Sequence, residues 1–193
     1  MSCRLAPETQ SDGRHKIMIE PRSSVEIRIA SEADYDAIWE IFHEVIAAGE
    51  TYPIDPDISR DSALAYWFQP GAHAYVAEQH AGSGVNQGRR ILGSYTVHPN
   101  QSGGGAHVAN AGFIVAKQAR GQGIGRALGE HCLNKARRLG FRAMQFNFVV
   151  STNEPAVKLW QDLGMKIVGI LPGAFRHPEK GYVDVYVMFR SLS

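Results

Sequence analysis

The stretch VAKQARGQGIGRALGEHC, Val115–Cys132, places Gly121, Gly123 and Gly125 at alternate positions and then turns helical. A strand-like run, AGFIV, ends where it begins, and an amphipathic helix follows at once. The first N–H groups of a helix have no partners inside it, and the aligned peptide dipoles add partial positive charge at that end. Glycines remove Cβ atoms, so an anion can approach several of these amides together. Arg120 and Arg126 bracket the turn. In physical terms Arg120, Gly121, Gln122, Gly123, Ile124, Gly125 and Arg126 form a cradle suited to a pyrophosphate. Two familiar phosphate motifs do not fit. A P-loop ends in Gly-Lys followed by Ser or Thr, and the dinucleotide fingerprint is GxGxxG after an early strand, whereas these glycines are evenly spaced and lie far along the chain. The competing reading is a strand–helix turn that only needs positive φ.

Before the glycines, VEIRIA alternates apolar Val25, Ile27 and Ile29 with polar residues, as a half-buried strand does. Ser31 with Asp34 three residues on predicts a helix start. Ile38, Phe42, Val45 and Ile46 share a helical face, and Gly49 is placed to stop that helix. ETYPIDPD reads as a loop and SRDSALAYWFQ as a short second helix ending near Pro70. HAYVAEQ and RILGSYTVHP form a hairpin or meander joined by a polar connection over 81–88, and VANAGFIVA is the next strand. After the glycine-led helix come the strand FRAMQFNFVVS, the short helix NEPAVKLWQDLG, and the final strands MKIVGIL and GYVDVYVMFR around a loop, PGAFRHPEK. This order predicts a mixed sheet with helices on both faces. Residues 1–24 read as a flexible N-terminal extension and residues 25–193 as the folded domain.

The chain has 193 residues, enough for one α/β domain, and a formal charge of +1. That balance argues against a nucleic acid or an anionic membrane as partner. Cys3 and Cys132 stand far apart and outside any metal-ligand spacing, so neither a disulfide framework nor a metal site is expected. No apolar run approaches the roughly 20 residues that span a bilayer, and the N-terminus lacks a signal-like apolar core. A cytoplasmic location is the expectation.

Taken together, the Arg120–Gly125 turn, NEPAxxLW and LGM resemble the GNAT superfamily of acetyl-CoA-dependent N-acetyltransferases, over roughly Val25 to Arg190. The resemblance implies the GNAT fold, an α/β (α+β) arrangement whose mostly antiparallel sheet splays at an acetyl-CoA site. Arg120 to Arg126 would hold the pyrophosphate of coenzyme A. Backbone groups of Ile114 and Val115 would pair with its pantetheine amides as an added strand does. Asn153 would hydrogen-bond the pantetheine or the acetyl-bearing end, or would simply cap its helix. Members often form homodimers through terminal strands, although this sequence defines no interface.

The superfamily's chemistry is attack of a neutral amine on the thioester, with a proton acceptor and donors for the oxyanion. The helix position that often carries an acidic Tyr is Trp160 here, and an indole is no practical acid. Tyr186, Tyr182 or a water are the substitutes, and Trp160 itself reads as core. NAGFIVAKQARGQGIG, FNFVVSTNEPAVKLWQDLGMKIVGILPGAF and GETYP are similar to the acetyltransferases of L-azetidine-2-carboxylate and other proline analogues. That likeness implies that Asn110, on the strand before a pantetheine-binding bulge, positions a water or the nucleophile. It implies that Asn147 and Phe148, at the next bulge, offer backbone N–H groups to a substrate carboxylate.

Independently, Asn110 and Asn147 lie in apolar strands, where an unpartnered amide costs about 1–3 kcal/mol. Either they bind something or they face the sheet's exposed side. Tyr95 lines the pocket or packs in the core. His98 and His107 are candidate proton acceptors or surface histidines. Tyr52, Tyr66 and Phe68 are candidate walls, and Trp67 reads as core. Glu44 and Glu50 could orient a cationic amine, and Phe175-Arg176-His177 could lid the pocket. The function expected is acetyl transfer to the amine of a small amino or imino acid. The alternatives are another small amine (phosphinothricin-like, polyamine or aminoglycoside) and, from a different class, a non-catalytic acyl-CoA-binding module.

Overall fold

The computed structural model describes residues 15–20, 23–80 and 89–193. One sheet of eight strands runs through it in the order β1-β2-β3-β4-β5-β6-β8-β7. These are β1 His15–Glu20, β2 Ser23–Ile29, β3 His73–His80, β4 Arg89–Pro99, β5 Val108–Val115, β6 Ala143–Val150, β7 Lys166–His177 and β8 Gly181–Ser191. The helices are α1 Tyr35–Ala47, α2 Arg60–Trp67, α3 Ile124–Arg138 and α4 Glu154–Asp162. The element order follows the sequence reading with one strand added. His15–Glu20, assigned above to the extension, pair antiparallel with β2. Residues 1–14 and 21–22, and the connection 81–88, lie outside the described residues.

Helices cover both faces. On one, α1 buries Ile38, Ile41, Phe42, Val45 and Ile46, and the Trp67 indole of α2 donates to Ser94 Oγ of β4 at 3.0 Å. On the other, α3 buries Leu128, Cys132 and Leu133, and its His131 Nδ1 lies 2.8 Å from the Tyr95 hydroxyl of β4. Side chains alternate along β4, so Ser94 and Tyr95 serve opposite faces.

Every neighbouring pair of strands is antiparallel except β5 and β6. That parallel pair is joined only at Val108↔Ala143 and Ala109↔Met144. Beyond those residues the strands part toward their C-terminal ends, which is the splay that the family resemblance implies. Trp160 of α4 fills its floor, with ring centroids 4.6 Å from Phe113 and 4.9 Å from Phe146.

The reading of PGAFRHPEK as a loop is corrected. β7 continues through His177, so Phe175, Arg176 and His177 pair with β8 as strand residues. The ladder is interrupted between Leu171 and Phe175, where Gly173 has φ +57° and donates its N–H to Asp184 at 2.9 Å. A Pro-Gly step reads as a loop in sequence, but here it is an irregularity within a long hairpin.

Candidate active site

The splay ends in the glycine turn. Ala116 closes the last β4 contact through its N–H to Leu92, and Lys117–Ala119 make a single 3-10 turn. Gly121 and Gly123 then adopt φ of +76° and +80°, where a side chain would be strained. A Cβ built on either meets nothing within 4 Å, so the outer surface of the turn is open. The first amide of α3 to be engaged is that of Ala127, which donates to Gly123. The N–H groups of Gly123, Ile124, Gly125 and Arg126 therefore have no intrahelical acceptor. Arg120 is exposed and makes no ion pair among the described residues. A bare cradle of free amides beside a free guanidinium fits a pyrophosphate.

Two members of the predicted cradle are partly engaged elsewhere. Arg126 Nη2 is 3.0 Å from Asp162 of α4, so it ties the two helices together rather than standing free. Gln122 donates its amide N–H to Ala119 at 3.4 Å and its side-chain Nε2 to Gln118 O at 2.8 Å.

The alternation along β5 corrects the expectation for Ile114. Asn100 N–H donates to Val108 and Ala116 N–H to Leu92, which places the hydrogen-bonded pairs of the β4–β5 ladder at even-numbered residues of β5. Ile114 therefore spends its peptide groups on Ser94. The groups of Ala111, Phe113 and Val115 face the splay instead. The β4–β5 register is continuous, so β5 itself has no bulge.

The bulge lies in β6. Its ladder with β8 runs regularly to Phe146↔Met188 and resumes at Val149↔Tyr186, leaving Asn147 and Phe148 opposite Val187 alone. The Phe148 ring packs on Phe175 of the hairpin, with centroids 6.2 Å apart. Asn147 is held by other amides. Gln145 Nε2 donates to its Oδ1 at 2.8 Å, and its own Nδ2 donates to Asn100 Oδ1 at 2.6 Å. Asn100 and Gln145 were not singled out above. Gln145 shares a strand face with Asn147, a readable signal, but Asn100 arrives from a distant loop and leaves none.

Asn110 Oδ1 accepts the N–H of Ala111 at 2.8 Å, which brings its amide to the splayed edge. Its cross-strand neighbour is His98. The His98 ring contacts its own chain at Pro99 O, and that of His107 contacts Gly104 O. Asn153 caps α4, its Oδ1 accepting Ala156 N–H at 3.4 Å, so the capping role is real and Nδ2 remains for a second acceptor. Asn110, Asn147 and Asn153 thus sit on β5, on β6 and after the end of β6, the two strands between which the splay opens.

Tyr95 does not line that opening. Its side chain is wholly buried, stacked between Tyr75 and Phe113, and burial drives its phenol far above the ordinary value. Trp67 and Trp160 are core, as read. Tyr66 stacks on Phe42 at 6.0 Å while remaining half exposed. Tyr182 points outward, Tyr186 packs at the edge of the core, and Glu44 and Glu50 are exposed. His177 is buried, its Nδ1 accepting N–H groups from Glu179 and Lys180, so it shapes the hairpin tip instead of moving as a lid. That tip reaches α1: a Cβ at Gly49 would stand 3.7 Å from Pro178.

A strand, a glycine turn and a helix that present free amides at the mouth of a splayed sheet find their counterpart in a known family. The model of the acetyltransferase (GNAT) family matches residues 35–165. The chain belongs to the GNAT acetyltransferases. An N-acetyltransferase of Schizosaccharomyces pombe, aca1, is 33% identical over 151 residues, covering 74% of this chain and 72% of that one. A putative phosphinothricin acetyltransferase of Bacillus subtilis, YwnH, is 26% identical over 176 residues, covering 86% and 99%. Among solved structures, a GCN5-related N-acetyltransferase from Kribbella flavida is 45% identical, superposes with a TM-score of 0.79, and covers 86% of this chain and 97% of its own. This GNAT chain is accordingly an N-acetyltransferase, and GNAT acetyltransferases bind acetyl-CoA. Among the described residues, no helix is long and apolar enough to cross a membrane.

Proposed function

We propose that this enzyme acetylates the amine of a small amino or imino acid that carries a free carboxylate. The observation behind the proposal is the β6 bulge at Asn147–Phe148, which frees peptide groups beside the splay, facing the edge where Asn110 sits. Such N–H groups suit a carboxylate. Similarity to YwnH adds support, because phosphinothricin too is an amino acid. Proline analogues such as azetidine-2-carboxylate are the finer form of this proposal, resting on Asn110, Asn147 and Asn153.

Acetyl-CoA supplies an electrophilic thioester carbonyl. The amides of Gly123 to Arg126, with Arg120, hold its pyrophosphate, and Val115 offers the peptide edge along which its pantetheine lies. The acceptor's carboxylate rests on the Asn147–Phe148 peptides, and its amine meets a water held by the Asn110 amide. An amide is no base, so Asn110 orients that water, which passes the amine's proton to solvent or to His98. Trp160 has no proton to give at neutral pH, so the departing sulfur is protonated by water. A small-molecule acceptor and a cytoplasmic location, consistent with the free buried thiol of Cys132, complete the proposal.

The test is thiol release from acetyl-CoA with proline analogues, amino acids and polyamines, using the wild type and Asn110→Ala. Release should follow carboxylate-bearing amines and fall about 100-fold in the variant. Turnover with polyamines alone, or an Asn110→Ala enzyme of full activity, overturns the acceptor assignment.

A further inference from the structure

Of the three β5 residues whose peptide groups face the splay, two are already engaged. Asn110 Oδ1 takes the N–H of Ala111. The Tyr52 hydroxyl accepts the N–H of Phe113 at 2.9 Å and donates to its C=O at 3.0 Å. One hydroxyl thus satisfies this peptide as a neighbouring strand would. Among the described residues, Val115 is the one of the three with both its N–H and its C=O left free on that side.

Tyr52 is held firmly in this position. A Cβ at Gly112 would lie 3.2 Å from the Tyr52 hydroxyl and 3.4 Å from Trp67, so glycine at 112 is what lets the phenol reach β5. The Phe42 ring meets that of Tyr52 edge-on at 5.9 Å. Burial, and next the neighbouring Tyr66, push the phenol far above its ordinary value, outweighing the opposing hydrogen bond with Phe113, so it stays neutral.

A ligand anchored at the N-terminus of α3 runs back along β5 from that strand's C-terminal end. It meets Val115 first and Tyr52 next. To run deeper it must break two hydrogen bonds and move a packed ring. We infer that Tyr52 is a positioning residue whose hydroxyl ends the free edge of β5 at Val115, fixes how deep an acyl-CoA can lie, and so confines the enzyme to short acyl groups. This rests on the splay being the acyl-CoA site, but not on which amine is the acceptor.

Calorimetry with free CoA, acetyl-CoA and butyryl-CoA tests it without needing an acceptor. The wild type should bind butyryl-CoA at least about tenfold more weakly than acetyl-CoA, the discrimination a few methylenes can carry. Tyr52→Phe, which removes only the hydroxyl, should narrow that ratio, and Tyr52→Leu should bring it near one. Free CoA should bind all three proteins alike, which certifies their fold and leaves the ratio as the readout. Equal binding of both thioesters by the wild type, or an unchanged ratio in both variants, overturns the inference while leaving the site assignment standing. Failure of the wild type to bind free CoA overturns the site assignment itself, and this inference with it.

Discussion

Asp34 and Glu78 are carboxylates in the interior, and one arginine accounts for both. Arg28 grips Asp34 with two hydrogen bonds of 2.8 Å and donates Nε to Glu78 at 2.6 Å, while Arg89 lies 3.5 Å from the other Glu78 oxygen. The cluster pins β2, the start of α1, β3 and β4 together. Burial alone would raise the Asp34 carboxyl, but the Arg28 and Ser31 hydrogen bonds outweigh it and hold the group below its ordinary 3.8. Asp34 contributes stability above that ordinary value and loses it as pH falls through the lower native one. Asp34→Asn should cost about 1–2 kcal/mol near neutrality, since it leaves the half-buried Arg28 guanidinium with Glu78 as its remaining carboxylate partner. The gap between variant and wild type should close in acid, below about pH 4; denaturant titrations at several pH values measure it. Cys132 makes a simpler case. It is fully enclosed and burial drives its thiol upward, so native protein should resist thiol reagents at this position while unfolded protein reacts. Peptide mapping after labelling reads the outcome.

At the scale of elements, α3 does two jobs with its glycines. Its N-terminal turn presents amides, and Arg120→Ala should weaken CoA binding about tenfold, roughly the worth of one charge-assisted hydrogen bond, without changing the melting temperature. Further along, a Cβ on Gly129 would stand 2.6 Å from Leu163 and 3.0 Å from Trp160, so α3 and α4 meet there almost backbone to side chain. Gly129→Ala should therefore destabilise by about 1–3 kcal/mol, seen as a lower urea midpoint with an unaltered slope. Much of this was legible in the sequence. The periods of α1 and β2, the Ser31 start, the Asn153 cap and the glycine turn are local features, and each formed where read. What stayed hidden was non-local. Tyr95 sits in an alternating strand and only the packing of Tyr75, Phe113 and His131 shows which side it takes. The long β7 hid behind a Pro-Gly step, and the engagement of Arg126 depends on Asp162, thirty-six positions along the chain.

For the whole molecule the sheet is two antiparallel parts, β1–β5 and β6–β8, stitched by two residue pairs and by the packing of α4 on Phe113. β1 stands at the far edge, four strands from the splay. A chain beginning at Ser23 should thus fold and bind CoA with its affinity essentially intact, because β2 keeps its full ladder with β3 and its Val25 and Ile27 belong to the main hydrophobic core. Calorimetry on that shortened protein checks it, and a lost affinity would show that the strand before Ser23 matters beyond its edge. The alternation along β5 also has a consequence in time. With Ala111 and Phe113 occupied from within the protein, Val115 carries the amide whose proton is open to solvent when no coenzyme is bound. Its exchange with deuterium should be fast in the free enzyme and slow once acetyl-CoA lies along the strand, whereas the Phe113 proton should exchange slowly in both. A single backbone position would then tell a loaded molecule from an empty one.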